Sequence, residues 1–172
     1  IGYFDKPDRN IKVNAPQCRT TAFTSQQVDK WNKVRPLIKS IDSQFKKLIP
    51  DRYKVQYDQA HETPDFVIDD TAFSTITINY NWRTALHKDA GDLKEGYGNL
   101  VVLEEGKYTG GYTGFPQYGV CVDVRHGDFL AMDVHEWHCN TKLHGITKDY
   151  TRLSLVAYLR ENMLRCKGMK KV

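Results

Sequence analysis

The sequence places a histidine and a carboxylate two residues apart, in His87-Lys88-Asp89. Successive side chains of a β-strand point to opposite faces, so in a strand the imidazole and the carboxylate would lie side by side while Lys88 points away. Such a pair is two thirds of the 2-His-1-carboxylate facial triad that holds Fe(II) in non-haem oxygenases. Because His-x-Asp is common by chance, the hypothesis requires a third ligand from elsewhere in the chain.

A second segment offers two candidates for that ligand. His135 and His138 follow a strand-like run over residues 127–132, and the end of a short strand is a usual place for functional side chains. The segment is not an HExxH zinc-protease motif, because Glu136 is followed by Trp137 and then directly by His138. The residues alone leave both histidines open as the third ligand.

A third segment has the composition of a carboxylate clamp. In a strand over residues 151–160, Arg152 and Ser154 lie on one face. A guanidinium binds a carboxylate through two parallel hydrogen bonds, and the hydroxyl adds one more. The alternative is an edge-strand arginine that pairs with a surface acid.

The order of these three segments resembles the 2-oxoglutarate/Fe(II)-dependent dioxygenases, in particular the TET/JBP branch that oxidises 5-methylpyrimidines in DNA. The similarity covers roughly residues 72–163. Its most specific parts are His87-Lys88-Asp89, His138-Cys139-Asn140-Thr141 and the run over residues 151–156.

The resemblance implies a role for each matching residue. The Fe(II) ligands would be His87, Asp89 and His138, with His138 preferred over His135. Arg152 would pair with the distal carboxylate of 2-oxoglutarate, assisted by Ser154, and O2 would be the co-substrate. The resemblance further implies a double-stranded β-helix, or jelly roll, and hydroxylation of the methyl group of 5-methylcytosine or thymine in DNA.

Two further residues are candidates for contact with the substrate. Asp92 stands where TET-like enzymes can carry an asparagine that contacts the target base, and the acid is a departure that leaves the base open. In the glycine-rich loop 110–118, Phe115 and Tyr118 could stack on a planar substrate or be core aromatics. Two rival hypotheses are the same chemistry on a protein side chain or small molecule, and a non-catalytic jelly-roll binding module.

The chain has 172 residues, 40% of them apolar and 12% aromatic, which indicates one folded domain. We expect a helical support region over 1–50, a jelly-roll core over 51–165 and a basic tail over 166–172. Thr24 is the expected N-cap of an apolar-striped helix that Pro36 kinks or divides. Strands are predicted over 53–57, 72–80, 84–88, 99–104, 119–124, 128–133 and 151–159.

Charge and cysteine content bear on location. The net charge of +4 permits an anionic partner. No apolar run reaches the ~18 residues of a membrane span, and no signal segment opens the chain. The four scattered cysteines are expected to be reduced thiols. We therefore expect an intracellular protein of cytoplasm or nucleus, possibly viral or phage, that is not secreted. Because Ile1 comes first, we expect a processed product or a piece of a longer chain.

Overall fold

The computed structural model describes residues 1–7 and 16–169, so the predicted tail residues 170–172 lie outside the described residues. The chain divides into two compact units. The first unit comprises Ile1–Ile76, Gly91–Tyr97 and Ala157–Val172, and the second comprises Thr77–Ala90 and Gly98–Val156. Among the described residues, no helix combines the length and apolarity that crossing a membrane requires.

The first unit holds a hairpin and the helices. Strands β1 (Tyr3–Pro7) and β2 (Pro16–Thr20) pair antiparallel, with Tyr3 opposite Thr20. The helices that follow are α1 (Ala22–Gln26), α2 (Val28–Leu48) and α3 (Pro50–Ala60), and short 3-10 helices cover Pro64–Phe66 and Glu161–Cys166.

The structure corrects three predictions for residues 21–60, one of them in part. The first helix is capped by Thr21, whose hydroxyl accepts a hydrogen bond from the backbone N–H of Thr24, so Thr24 lies inside the helix. Helix α2 is continuous through Pro36, so a division into two helices is wrong, while a kink at Pro36 stays a prediction. The strand predicted over 53–57 belongs to α3, where Tyr53, Gln56 and Ala60 are buried at helical spacing.

The predicted apolar stripe of α2 forms part of the core of the first unit. Ile38, Ile41 and Phe45 are buried along one side of the helix. The ring of Phe45 is fully buried; its centroid lies 5.6 Å from that of Tyr53 and 6.2 Å from that of Phe73. The aromatic contacts therefore tie α2 to α3 and to the residues just before β3.

The strands of the second unit form three sheets, and the prediction of a mainly β fold is confirmed. A four-stranded sheet has the order β3-β11-β4-β8, a three-stranded sheet the order β7-β6-β9, and β10 pairs with β5. The strands are β3 (Thr75–Tyr80, which begins in the first unit), β4 (Gly98–Glu105), β5 (Tyr108–Thr109), β6 (Thr113–Phe115), β7 (Val120–Val122), β8 (Phe129–Met132), β9 (Cys139–Asn140), β10 (His144–Gly145) and β11 (Thr151–Tyr158, which ends in the first unit).

One predicted strand of this region is absent. Residues 84–88 form no strand; the structure gives His87 only an isolated antiparallel bridge to His138. The neighbouring backbone bonds, from Asn140 to the Thr84 carbonyl and from Asp89 to the Val134 carbonyl, are out of register with that bridge. The segment is therefore extended but too irregular to continue a ladder.

The expectation of reduced thiols is wrong for one pair of cysteines. Cys18 of β2 and Cys166 of the last 3-10 helix form a disulfide within the first unit. Cys121 and Cys139 are free thiols.

An ion pair joins the hairpin to the C-terminal segment of the first unit. Arg160 Nε lies 2.5 Å from Asp5 Oδ1, and Asn162 Nδ2 donates to Asp5 Oδ2 over 3.0 Å. Burial acts to raise the pKa of Asp5, but the hydrogen bonds from Arg160 and Asn162 outweigh it and hold this pKa below its ordinary value.

Asp5 should therefore stabilise the fold in a pH-dependent way. Because its pKa is lowered on folding, the contribution is complete above the unfolded value of ~3.9 and is lost as pH falls through the folded pKa. We expect the difference in unfolding free energy between wild type and Asp5→Asn to be constant above about pH 5 and to shrink below about pH 4. Urea unfolding at a series of pH values measures it, and a difference independent of pH contradicts the assignment.

Phe45→Ala should lower the free energy of unfolding by about 3–5 kcal/mol, since it removes a fully buried ring and leaves a cavity. Leu48→Ala is the matched control on the same helix, because its side chain is 58% exposed and the change should cost less than about 0.5 kcal/mol. Equal losses in the two variants would contradict the core described above.

Candidate active site

His87 and His138 are joined through their backbones. The N–H of each donates to the carbonyl of the other, and both bonds measure 3.0 Å. Two antiparallel residues that exchange both bonds lie directly opposite each other, so the backbone fixes both side chains at one level. The ring centroids consequently lie 4.2 Å apart.

Each imidazole is held by a second bond to its own chain. Nδ1 of His87 lies 2.8 Å from the carbonyl of Ala85, and Nδ1 of His138 lies 2.8 Å from the carbonyl of Glu136. A carbonyl only accepts, so Nδ1 carries the proton in both rings. In the neutral imidazoles the lone pair is therefore on Nε2, which is the state that a metal requires.

Asp89 completes the cluster. Its Oδ1 lies 3.1 Å from His87 Nε2, and its Oδ2 lies 3.9 Å from His138 Nε2. One ligand atom from each residue can be chosen so that all lie within 4.8 Å of one another. The side chains of His87 and Asp89 are about one third exposed, and that of His138 is buried. The cluster is therefore accessible to solvent on the side of His87 and Asp89. The arrangement fits a divalent metal ion with free coordination positions.

Arg152 is a buried cation, and some of its hydrogen-bond donors are unused among the described residues. The residue is 2% exposed, and its Nε and Nη2 have no hydrogen-bond partner among the described residues. Burial lowers the pKa of Arg152, contact with Tyr108 opposes that change, and the nearby Arg125 lowers the pKa further. A buried charge with unsatisfied donors is costly, so the surroundings of Arg152 favour an anionic ligand.

The geometry of another arginine shows what that anion can be. In Arg35 the same two atoms, Nε and Nη2, donate to the two oxygens of Asp69. The Nε–Nη2 edge of Arg152, which has no partner among the described residues, is therefore an edge that can bind a carboxylate through two parallel hydrogen bonds.

The backbone of Arg152 is fixed by Asn81, just after β3. The side-chain oxygen of Asn81 accepts the N–H of Arg152 over 2.7 Å, and the N–H of Asn81 donates to the Arg152 carbonyl over 2.9 Å. On the other side stands Gly111, where a Cβ would lie 3.1 Å from Nε of Arg152. Gly111 also has a φ of +72°, so a larger residue there would be strained and would press on the guanidinium.

The structure brings together three of the predicted site residues and separates one alternative. His87, Asp89 and His138 converge, whereas Nδ1 of His135 bonds to Asp133 and His135 is absent from the cluster. Ser154 is buried on β11, two residues beyond Arg152 and on the same face.

The two predicted substrate residues have different environments. Asp92 is buried in the first unit, where its backbone pairs with that of Arg160. Tyr118 is 62% exposed at the end of a 3-10 helix (Pro116–Tyr118) in the second unit. Their contact with a base stays a prediction.

Sequence reasoning missed Asn81 and Gly111, which lie against Arg152. Asn81 adopts a φ of +45°, a conformation in which asparagine is enriched, so an asparagine directly after a strand was a usable signal. Gly111 belongs to the glycine-rich loop 110–118, for which the sequence analysis considered only the aromatic residues.

Comparison with known proteins agrees with this geometry. Residues 2–161 match the Tet_JBP family, described as the oxygenase domain of the 2OGFeDO superfamily. The chain is 40% identical over 162 residues to thymine dioxygenase JBP1 of Trypanosoma brucei brucei, covering 92% of this chain and 18% of that protein. It is 33% identical over 164 residues to the bifunctional helicase and thymine dioxygenase JBP2 of the same organism, covering 93% of this chain and 14% of that protein.

A solved structure shows the same fold. The NgTET1 protein in complex with 5mC DNA superposes with a TM-score of 0.70 at 18% sequence identity, over 99% of this chain and 64% of that one. The predicted double-stranded β-helix is confirmed by this likeness. The chain spans less than a fifth of the length of the curated relatives named above.

His138→Ala should weaken Mn²⁺ binding by more than about 100-fold, because losing a ligand costs more than the ~10–100-fold typical of its outer partners. His135→Ala is the matched control, since His135 lies three residues away and outside the cluster; it should bind as wild type does. Isothermal titration with Mn²⁺ measures both. Equal affinity of His138→Ala and wild type would exclude His138 as a ligand.

Proposed function

This chain belongs to the Tet_JBP family of 2OGFeDO-superfamily oxygenase domains, and from that membership we propose its activity. The domain is an Fe(II)- and 2-oxoglutarate-dependent dioxygenase. It hydroxylates the methyl group of a 5-methylpyrimidine, thymine or 5-methylcytosine, in DNA.

The metal would be held by His87, Asp89 and His138. Their mutual distances and the lone pairs on both Nε2 atoms fit Fe(II), and three ligands leave three coordination positions free. When bound, iron with 2-oxoglutarate and O2 supplies the oxidising power for hydroxylation of a C–H bond. The chain itself contributes a rigid seat, because the two histidine backbones are bonded to each other.

The partnerless edge of Arg152 is the single observation that carries the keto acid assignment. Arg152 would orient 2-oxoglutarate by binding its distal carboxylate, and Ser154 on the same strand face would assist. Because Arg152 is buried, this bond forms away from water, where a charge-assisted pair is strong.

Thymine in DNA is the favoured substrate. The two trypanosome relatives described above carry thymine dioxygenase in their names, and the fold is that of a protein solved with 5mC DNA. Trp82, Tyr118 and Trp137 are large, exposed aromatic side chains in the same unit as the metal ligands, and such rings stack on bases that have left the helix.

The proposal extends to organisation and location. Residues 1–172 act as one oxygenase domain, with both compact units needed, since the family match spans both. The domain works where DNA is, inside the cell or its nucleus.

The test of this function is mass spectrometry of nucleosides after incubation with Fe(II), 2-oxoglutarate and duplexes that contain thymine or 5-methylcytosine. We expect a hydroxymethyl product that depends on 2-oxoglutarate. Arg152→Met should reduce turnover strongly, because losing one partner of a buried charged pair costs about 2–5 kcal/mol of binding.

The same variant provides its own folding control. Removing an unpaired buried charge should leave the metal-free, ligand-free protein at least as stable as wild type. Product on peptides alone would transfer the activity to a protein substrate. Absence of both metal and 2-oxoglutarate binding would favour the non-catalytic module.

A further inference from the structure

The two free thiols of the chain, Cys121 and Cys139, are brought together by one sheet. Strand β6 lies at the centre of that three-stranded sheet, between β7 and β9. Gly114 of β6 is directly opposite Cys121 of β7 and also directly opposite Cys139 of β9. Residues that are directly opposite each other in antiparallel strands point to the same face. The two thiols therefore flank Gly114 on one face of the sheet.

The missing side chain of Gly114 leaves a gap between the two sulfurs. A Cβ at Gly114 would lie 3.4 Å from Sγ of Cys121 and 3.4 Å from Sγ of Cys139. The sulfurs are therefore no more than about 7 Å apart, which is twice that distance. Because Cys121 is exposed and Cys139 is partly buried, an ion can reach the gap from solvent.

The backbone excludes a disulfide between these two cysteines. Strand β6 separates the strands that carry them, and two strand spacings place their Cα atoms ~9–10 Å apart. A disulfide requires Cα atoms less than ~7 Å apart. The two sulfurs can therefore share a ligand, but they cannot bond to each other without a large movement of the backbone.

Two thiolates without a third ligand favour a soft ion of low coordination number. Zn²⁺ takes four ligands in its structural sites. Within the described part of the chain, the one group of three or more side chains that could hold a metal is His87, Asp89 and His138, so the thiol pair lacks further ligands. Cu(I) is soft, binds thiolate sulfur and forms linear complexes with two ligands. The pair is therefore better suited to Cu(I) than to Zn²⁺.

A small movement brings the sulfurs to the spacing that such an ion requires. Metal–thiolate bonds are ~2.3 Å long, so two sulfurs on opposite sides of an ion are ~4.6 Å apart. Each sulfur must therefore move inward by about 1 Å at most. Strand β7 has three residues and lies at the edge of its sheet, so Cys121 has room to adjust.

This pair is separate from the proposed iron ligands. Cys139 directly follows His138, and consecutive side chains of an extended chain point to opposite faces. Nδ2 of Asn140 lies 3.5 Å from Oγ1 of Thr113, so these two neighbours of Cys139 and Gly114 share the other face of the sheet. The thiols and the imidazole of His138 consequently lie on different sides of β9.

We propose that Cys121 and Cys139 form a two-thiolate site for a soft monovalent cation, Cu(I), above Gly114. On binding, each thiol gives its proton to solvent, each sulfur forms one bond to the ion, and the oxidation state of the ion does not change. The site goes beyond the proposed oxygenase function and does not depend on it.

Competition with the chelator bicinchoninate, without oxygen and with ascorbate as reductant, measures Cu(I) binding to the whole chain. Wild type should withdraw one equivalent more than Cys121→Ser does, since ions held by other groups are common to both. Cys121→Ser should bind at this site more than about 100-fold more weakly, because losing a ligand costs more than the ~10–100-fold typical of its outer partners. Equal uptake by the two proteins overturns the inference.

Gly114→Ala distinguishes one shared ion from two independent thiols. The variant keeps both cysteines and puts a methyl group in the gap, at ordinary contact distance from each sulfur. Cu(I) binding should weaken by about tenfold or more, because the methyl group occupies the space that the ion needs. Affinity equal to that of wild type would show that the thiols do not act jointly and would overturn the inference.

Gly91→Ala is the matched control for that substitution. The nearest contact of its added Cβ would be 3.6 Å, to the flexible side chain of Arg160, so the variant should bind Cu(I) as wild type does. If Gly114→Ala proves unfolded by circular dichroism, Cys121→Ser decides the question, because Cys121 is exposed on an edge strand and its replacement should leave the fold intact.

Zn²⁺ tests the preference for an ion with two ligands. An about tenfold excess of Zn²⁺ should not displace Cu(I) from wild type, because the pair provides only two of the four ligands that Zn²⁺ takes. The ultraviolet charge-transfer absorption of the Cu(I)–thiolate bonds should therefore persist after Zn²⁺ is added. Loss of that absorption would overturn the assignment of the site to Cu(I).

Discussion

Two backbone hydrogen bonds between His87 and His138 are the constraint on which the site depends. They join segments that are 51 positions apart in the sequence, and they do so at the two residues whose imidazoles must converge. Once this pair is closed, Asp89 follows two residues later and reaches both rings. The backbone therefore fixes the relative positions of the two histidines, and their side chains need only small rotations to converge with Asp89.

Arg152 is the second important group of the site, after the cluster of His87, Asp89 and His138. Two neighbours constrain it: Asn81 is hydrogen-bonded to its backbone, and Gly111 lies beside Nε. Keeping a cation buried with two free donors costs stability in the absence of ligand. Strain and unsatisfied groups of this kind concentrate where a protein binds something, which is the observation behind the proposed keto acid site.

The local chemistry of the site could be predicted because it lies in short motifs. His87 and Asp89 are two residues apart, and Arg152 and Ser154 repeat that spacing on a regular strand. Packing between distant parts of the chain was harder to predict. The apolar and polar residues over 53–57 alternate as they do in a strand, yet these residues form part of a helix. Choosing His138 over His135 needed the family resemblance, since both stand beside the same strand and only tertiary pairing separates them.

The first unit is assembled from three separate stretches of chain, and this has a consequence for synthesis. Ser74 donates to the carbonyl of Tyr158, Leu93 to that of Leu159, and Cys18 bonds to Cys166. Each contact joins an early residue to one made near position 160. The helices can form as they leave the ribosome, but their core stays incomplete until that late segment has emerged. During translation Ala60 and Val67 stay incompletely covered until Leu159, which completes their apolar cluster, has been made, and apolar surface exposed in this way favours aggregation.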